Sequence, residues 1–113
     1  MKKIEAIFRH IVLDDVKKAL DDIGVKGMTV TDVKGAGKQR GYTEVYRGSK
    51  LTISLRPKVK VELVVPDELV DQAVDTIAQT ARTGEIGDGK IFVSDIREAV
   101  AIRTGTRGEP AIV

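Results

Sequence analysis

A chain of 113 residues with 42% hydrophobic and 32% charged residues has the size and balance of one ordinary globular domain. Nineteen Lys and Arg against seventeen Asp and Glu leave a net charge of +2, too little for a general attraction to nucleic acid or an anionic membrane, so any anion site must be local. The absence of cysteine excludes disulfides, thiol nucleophiles and Cys-based metal centres, and His10 as the single histidine excludes a multi-histidine one. No apolar run reaches the length of a membrane span and no signal-peptide core follows the N-terminal lysines, which predicts a cytoplasmic protein.

Residues 2–8 predict a strand that sets Ile4, Ala6 and Phe8 on one face and Ile7 on the other. Residues 13–23 place Val16, Ala19, Leu20 and Ile23 at helical spacing, with Asp14 near a capping position and Gly24 where a left-handed cap belongs. Residues 28–34, rich in Thr and Val, predict a second strand. From 35 to about 54 the periodicity gives way to Gly35, Gly37, Gly41 and Gly48 mixed with lysines and arginines, and a loop so long in a compact domain is either functional or disordered. Residues 58–65 are the clearest strand, Val59, Val61, Leu63 and Val65 alternating with Lys58, Lys60, Glu62 and Val64. Pro66-Asp67 predicts the cap of a second helix with a stripe of Val70, Ala73, Val74, Ile77 and Ala81. Strands follow at 91–94 and, shorter, around 100–103, and residues 104–113 are expected to form a loose tail.

Between the second helix and the strand at 91 lies Thr83-Gly84-Glu85-Ile86-Gly87-Asp88-Gly89-Lys90. Its glycines let the backbone bend and approach a ligand closely, its N–H groups can converge on one anion, and Lys90 adds a full charge at the edge. That is the chemistry of a phosphate site. The spacing is neither that of a P-loop nor that of a dinucleotide fingerprint, and the same glycines would serve a plain helix-to-strand connection.

Residues 15–23 echo residues 69–77 at five places by identity or hydrophobic class, each inside a strand–helix–strand unit. Two such units joined by the long loop predict β-α-β-β-α-β, an α+β ferredoxin-like sandwich with both helices on one face of an antiparallel sheet. Apolar residues on both faces of the strands predict that further copies of the chain cover the open face.

The motifs Gly27-Met28-Thr29-Val30, Val33-Lys34-Gly35, Tyr46-Arg47-Gly48, Pro57-Lys58-Val59-Lys60-Val61-Glu62, the glycine-rich loop through Phe92, and Ile102-Arg103-Thr104-Gly105, with Gln39 in the long loop, run over nearly the whole chain. Together they resemble the PII nitrogen-regulatory proteins. The resemblance implies one domain over 1–113 that forms a trimer, with a T-loop at about 37–54, a B-loop at 82–90 and a C-terminal tail at 104–113. It further implies ATP or ADP in clefts between subunits, 2-oxoglutarate as second effector, and control of a target protein, such as an ammonium transporter that recruits it to the membrane, or a metabolic enzyme.

On this resemblance Gly87, Gly89, Lys90 and Arg103 hold phosphate, Gly35 and Lys38 reach the nucleotide from a neighbouring subunit, and Gly27, Thr29, Glu62 and Val64 shape the adenine and ribose pocket. Gln39 gives an oxygen to Mg²⁺ bridging ATP and 2-oxoglutarate, Lys58 pairs with the far carboxylate of that ligand beside Gly87, and Tyr46, Arg47 and Ser49 contact the target. The residues depart from the family pattern at Leu51, where many members carry a modifiable tyrosine, at Ala101 and Lys38, where arginine is usual, and at Arg9-His10 and Leu55-Arg56. An enzyme reading, a small ferredoxin-like phosphohydrolase with slow ATP turnover, lacks a nucleophile–base pair in the sequence. An RNA-binding sheet would need stacking aromatics, which are only 4% of the chain.

Overall fold

The computed structural model describes residues 1–36, 42–46, 49–53 and 55–113, with the side chains of residues 37–54 outside that description. Four strands make the main sheet: β1 (Lys2–Phe8), β2 (Thr29–Gly35), β5 (Arg56–Val65) and β6 (Gly89–Asp95), in the order β2-β5-β1-β6 and antiparallel throughout. Helices α1 (Leu13–Asp22) and α2 (Val70–Ala81) pack side by side on one face. This is the ferredoxin-like arrangement expected from the two βαβ units.

The core follows the period-2 and period-3.6 patterns. Ile4, Ala6 and Phe8 of β1 and Val59, Val61, Leu63 and Val65 of β5 point toward the helices and are buried, as are Val16 and Leu20 of α1 and Ala73, Ile77 and Ala81 of α2. Each large apolar side chain removed from water in this way contributes about 1.5–3 kcal/mol. The other sheet face carries Lys3, Glu5, Lys60 and Glu62 between Ile7, Val64 and Phe92, so charge and apolar surface alternate there.

Several local expectations are corrected. Asp14 does not cap α1, which follows a 3-10 turn at His10–Val12 and has Val12 at its cap without a side-chain bond; Asp14 and Asp15 instead sit in the first turn, where the helix dipole favours them. Asp67 does not cap α2 either: it accepts a bond from the Met1 nitrogen at 2.9 Å, and Leu69 occupies the cap. Gly24 does end α1 in the left-handed region, at φ +92°, with its N–H and that of Val25 bonded to the Asp21 and Leu20 carbonyls.

Within the stretch expected to be an unbroken loop, β3 (Tyr42–Tyr46) pairs antiparallel with β4 (Ser49–Ile53). The short strand expected around 100–103 is a single bridge between Val100 and Arg107, because residues 102–104 turn and Gly105 takes φ +72°. Nor is the tail loose. It folds back through a 3-10 turn at Glu109–Ile112, entered at Gly108, whose N–H bonds the Ala99 carbonyl at 2.9 Å.

Candidate functional site

Among the residues whose side chains are described, the sequence-predicted ones, Arg103 apart, gather at two ends of the sheet. At the first end α2 stops at Ala81 and the glycine-rich loop winds around Asp88. The Asp88 carboxylate accepts N–H bonds from Thr83 at 2.8 Å and Gly84 at 2.9 Å and a bond from the Thr83 hydroxyl. Arg9, which follows β1, places its guanidinium 3.5 Å from the same carboxylate and donates to the Ile86 carbonyl at 2.9 Å. These donors, the Thr83 hydroxyl first, hold the Asp88 pKa down at about 2. The loop is thus bonded internally around Asp88, and beyond it Gly89 and Lys90 enter β6 and pair with Phe8 and Ile7 of β1.

Two glycines make that geometry possible. Gly87 takes φ +100° and Gly89 φ +111°, and a Cβ on Gly89 would lie 1.8 Å from the Ile7 carbonyl oxygen. Only glycine fits where β6 joins β1. The Lys58 ammonium donates to the Gly87 carbonyl from β5, with its stem packed 3.5 Å from where a Gly35 side chain would begin. Burial, followed by the charge of Arg9, lowers the Lys58 pKa from its ordinary value, while Asp88 opposes the shift. Gly35, Lys58, Gly87, Gly89 and Lys90 therefore share one electropositive end.

At the other end a cleft of about 930 Å³ opens between the start of β2 and the end of β5. Gly27, Thr29, Glu62 and Val64, which the family resemblance grouped together, line it, and so do Lys3 and the tail residues Ala111, Ile112 and Val113, which the resemblance did not name. Lys3 bridges Glu5 at 2.7 Å and Glu62 at 3.0 Å, and Lys60 stands 3.4 Å from Glu62. The bond from Lys3 is the main reason the Glu62 pKa lies below its ordinary value, so a fixed carboxylate faces a partly apolar cleft. A concave, partly apolar lining with one fixed polar group is the kind of surface that takes a small organic ligand.

The two ends are not one site within a single chain. Val64 pairs with Lys3 and Gly89 with Phe8, five residues apart along β1, on the order of 17 Å. Arg103 is exposed on the turn after β6, and Ala101 beside it is half-buried. Lys38, Gln39 and Arg47 lie outside the described residues, and of Tyr46 and Ser49 only the backbone, paired across the β3–β4 hairpin, is described. Among the described residues no group of three His, Asp or Glu stands where it would hold a metal ion. No described helix is long and apolar enough to cross a membrane.

A family model described as nitrogen regulatory protein P-II matches residues 1–106. The chain belongs to the P-II family. Nitrogen regulatory protein P-II of Haemophilus influenzae and P-II 1 of Escherichia coli K12 are each 56% identical to it over 112 residues, 99% of this chain and 100% of theirs. P-II of Pasteurella multocida is 55% identical over the same span. This P-II protein therefore has a regulatory role in nitrogen metabolism. Reasoning from the sequence missed Arg9, Asp88 and the tail. Arg9 stood out only as a departure from the family pattern, Asp88 was read as one more loop residue, and the tail gave no periodic signal.

Proposed function

We propose that this P-II protein is a non-enzymatic sensor, a trimer that binds ATP or ADP and 2-oxoglutarate at clefts between subunits and reports their levels to a target protein through the loop at 37–54. The observation that carries this reading is the division of the nucleotide residues between two distant ends of the sheet. A loop tied down by Asp88, with Lys90 at its edge, suits a triphosphate, and a cleft with a fixed carboxylate suits a nucleoside, yet one chain offers them too far apart for one ligand. A second copy that brings its cleft to this loop completes the site, and copies arranged on the alternating charged and apolar sheet face are the economical way to do so.

For 2-oxoglutarate, Lys58 supplies the cation for the distal carboxylate, and its bond to the Gly87 carbonyl sets it beside the loop. A dicarboxylate next to a triphosphate is repulsive unless a cation bridges them. The acidic residues described do not form a metal cage, so a bound Mg²⁺ would take its oxygens largely from the two ligands, with Gln39 as the protein ligand. 2-Oxoglutarate is then expected to bind with Mg-ATP and not with ADP.

The two exits of the 37–54 loop, at Gln39 and Lys58, would be gripped by the same ligand, which biases the loop's conformations by differential binding. Calorimetry tests this directly. ATP and 2-oxoglutarate should tighten each other by the same factor, ADP should show no such coupling, and Gln39→Ala or Lys58→Ala should abolish it. Equal binding of 2-oxoglutarate with ADP, or to Lys58→Ala, would contradict the reading, and sustained ATP turnover would favour a hydrolase. The partner is sought by capture from native extract with ADP in one arm and Mg-ATP plus 2-oxoglutarate in the other.

A further inference from the structure

After β6 the chain is pinned in steps. Ile96 donates to the Met1 carbonyl at 3.1 Å, Val100 bridges Arg107, and Gly108 donates both to the Ala99 carbonyl at 2.9 Å and to the Glu98 carboxylate at 3.2 Å. Gly108 takes φ 76° and ψ −154°, a region essentially closed to other residues, and there the chain turns into the 3-10 segment Glu109–Ile112. The Ala111 N–H closes that turn on the Gly108 carbonyl at 2.9 Å.

The outcome is that Ala111, Ile112 and Val113 line the same cleft as Gly27, Thr29 and Val64. Ordering these residues costs backbone freedom, and Ala111 and Ile112 are only half-buried against the protein. Their remaining apolar surface faces the space where, on the reading above, a nucleobase lies.

We infer that the tail, through Ile112, is a specificity-determining wall of the nucleoside cleft: a flat purine completes the burial of Ile112 and Val64, while Glu62, fixed by Lys3 and Lys60, meets the polar groups. A pyrimidine presents less face and leaves part of the wall wet. Gly108 is the hinge that sets the wall's position. The inference rests on the cleft being the nucleoside half of the site, and inorganic triphosphate, which lacks a nucleoside, separates the two claims.

The test is calorimetry of full-length protein with ATP, CTP and inorganic triphosphate, on the natural chain and on Ile112→Ala, Ile112→Asp and Gly108→Val. The natural chain should prefer ATP to CTP. Ile112→Ala should weaken ATP several-fold and Ile112→Asp on the order of tenfold or more, narrowing the gap to CTP, with triphosphate unchanged. Gly108→Val should behave like Ile112→Asp. Should Ile112→Asp fail to fold, Ile112→Ala carries the test. Unchanged ATP affinity in Ile112→Ala, or parallel losses for ATP and triphosphate, overturns the wall while leaving the nucleotide site standing. A natural chain that binds ATP no better than triphosphate overturns both.

Discussion

The two ends of the sheet solve opposite problems. At the loop end, a backbone that must turn sharply is held by one carboxylate, Asp88, that collects the Thr83 and Gly84 N–H groups, the Thr83 hydroxyl and the Arg9 guanidinium. At the cleft end no such knot exists among the described residues, and the walls are strand, helix-end and tail side chains around a carboxylate fixed by two lysines. A phosphate asks for donors whose positions are set in advance, whereas a nucleobase asks for a slot of the right thickness. The rigid end therefore depends on single atoms and the slot on shared surface, so single substitutions should act far more sharply at the first than at the second.

The largest effect is expected at Gly89. Alanine there forces a Cβ against the Ile7 carbonyl at φ +111°, and denaturant melts should show a loss on the order of 4 kcal/mol. Gly105→Ala, with nothing within 4 Å of the new Cβ, should lose only about 1 kcal/mol for its positive φ. Equal losses would mean that the approach of β6 to β1 is not tight.

Next comes Asp88→Ala, which should cut affinity for both ATP and inorganic triphosphate on the order of a hundredfold, since several charge-assisted bonds that set the loop are lost together. A loss confined to ATP would assign the loop to the nucleoside instead. Asp88 also predicts acid behaviour. Its folded pKa of about 2 lies below the ordinary 3.8, so its contribution is complete above the ordinary value and is lost as pH falls through about 2. The Thr83 and Gly84 amide resonances should accordingly titrate near 2, and titration near 4 would show that the knot is absent in solution.

On the proposed reading, Ala101→Arg should tighten ATP about tenfold by adding a charge-assisted phosphate contact. No tightening in calorimetry would mean that the side chain at 101 does not face the phosphates. Smallest is the pH effect at Lys58. Because burial and Arg9 lower its pKa, 2-oxoglutarate affinity should begin to fall with rising pH earlier than an ordinary lysine, at 10.5, would allow. A profile flat to that value would place the distal carboxylate elsewhere.

What was legible in the sequence follows from where the physics is local. β1 and β5 could be read because alternate residues are buried one by one against the helices, and α1 and α2 because their stripes repeat every three or four positions. Gly87, Gly89 and Lys90 stood out as chemistry. Gly27, Thr29, Glu62 and Val64 came from the family resemblance, and the cleft they share needs the register of β2 on β5, which sequence spacing does not give. The β3–β4 pair was hidden because its strands are only five residues each and the glycines and charges around them read as one loop. The tail was hidden because an irregular segment is held by bonds to Ala99 and Glu98, and long-range bonds leave no period to find.

The central claim is that a loop from one copy and a cleft from another make each nucleotide site. It is tested most directly by mixing two broken proteins. Lys90→Ala disables the loop and Glu62→Ala the cleft, and each alone should bind ATP poorly by calorimetry. Unfolded together and refolded as a mixture, they should recover tight ATP binding at the interfaces where an intact loop meets an intact cleft. Recovery accompanied by mixed oligomers in native mass spectrometry is the predicted result. Mixed oligomers with no recovery would contradict it, because they would show that both halves of the site must come from the same chain.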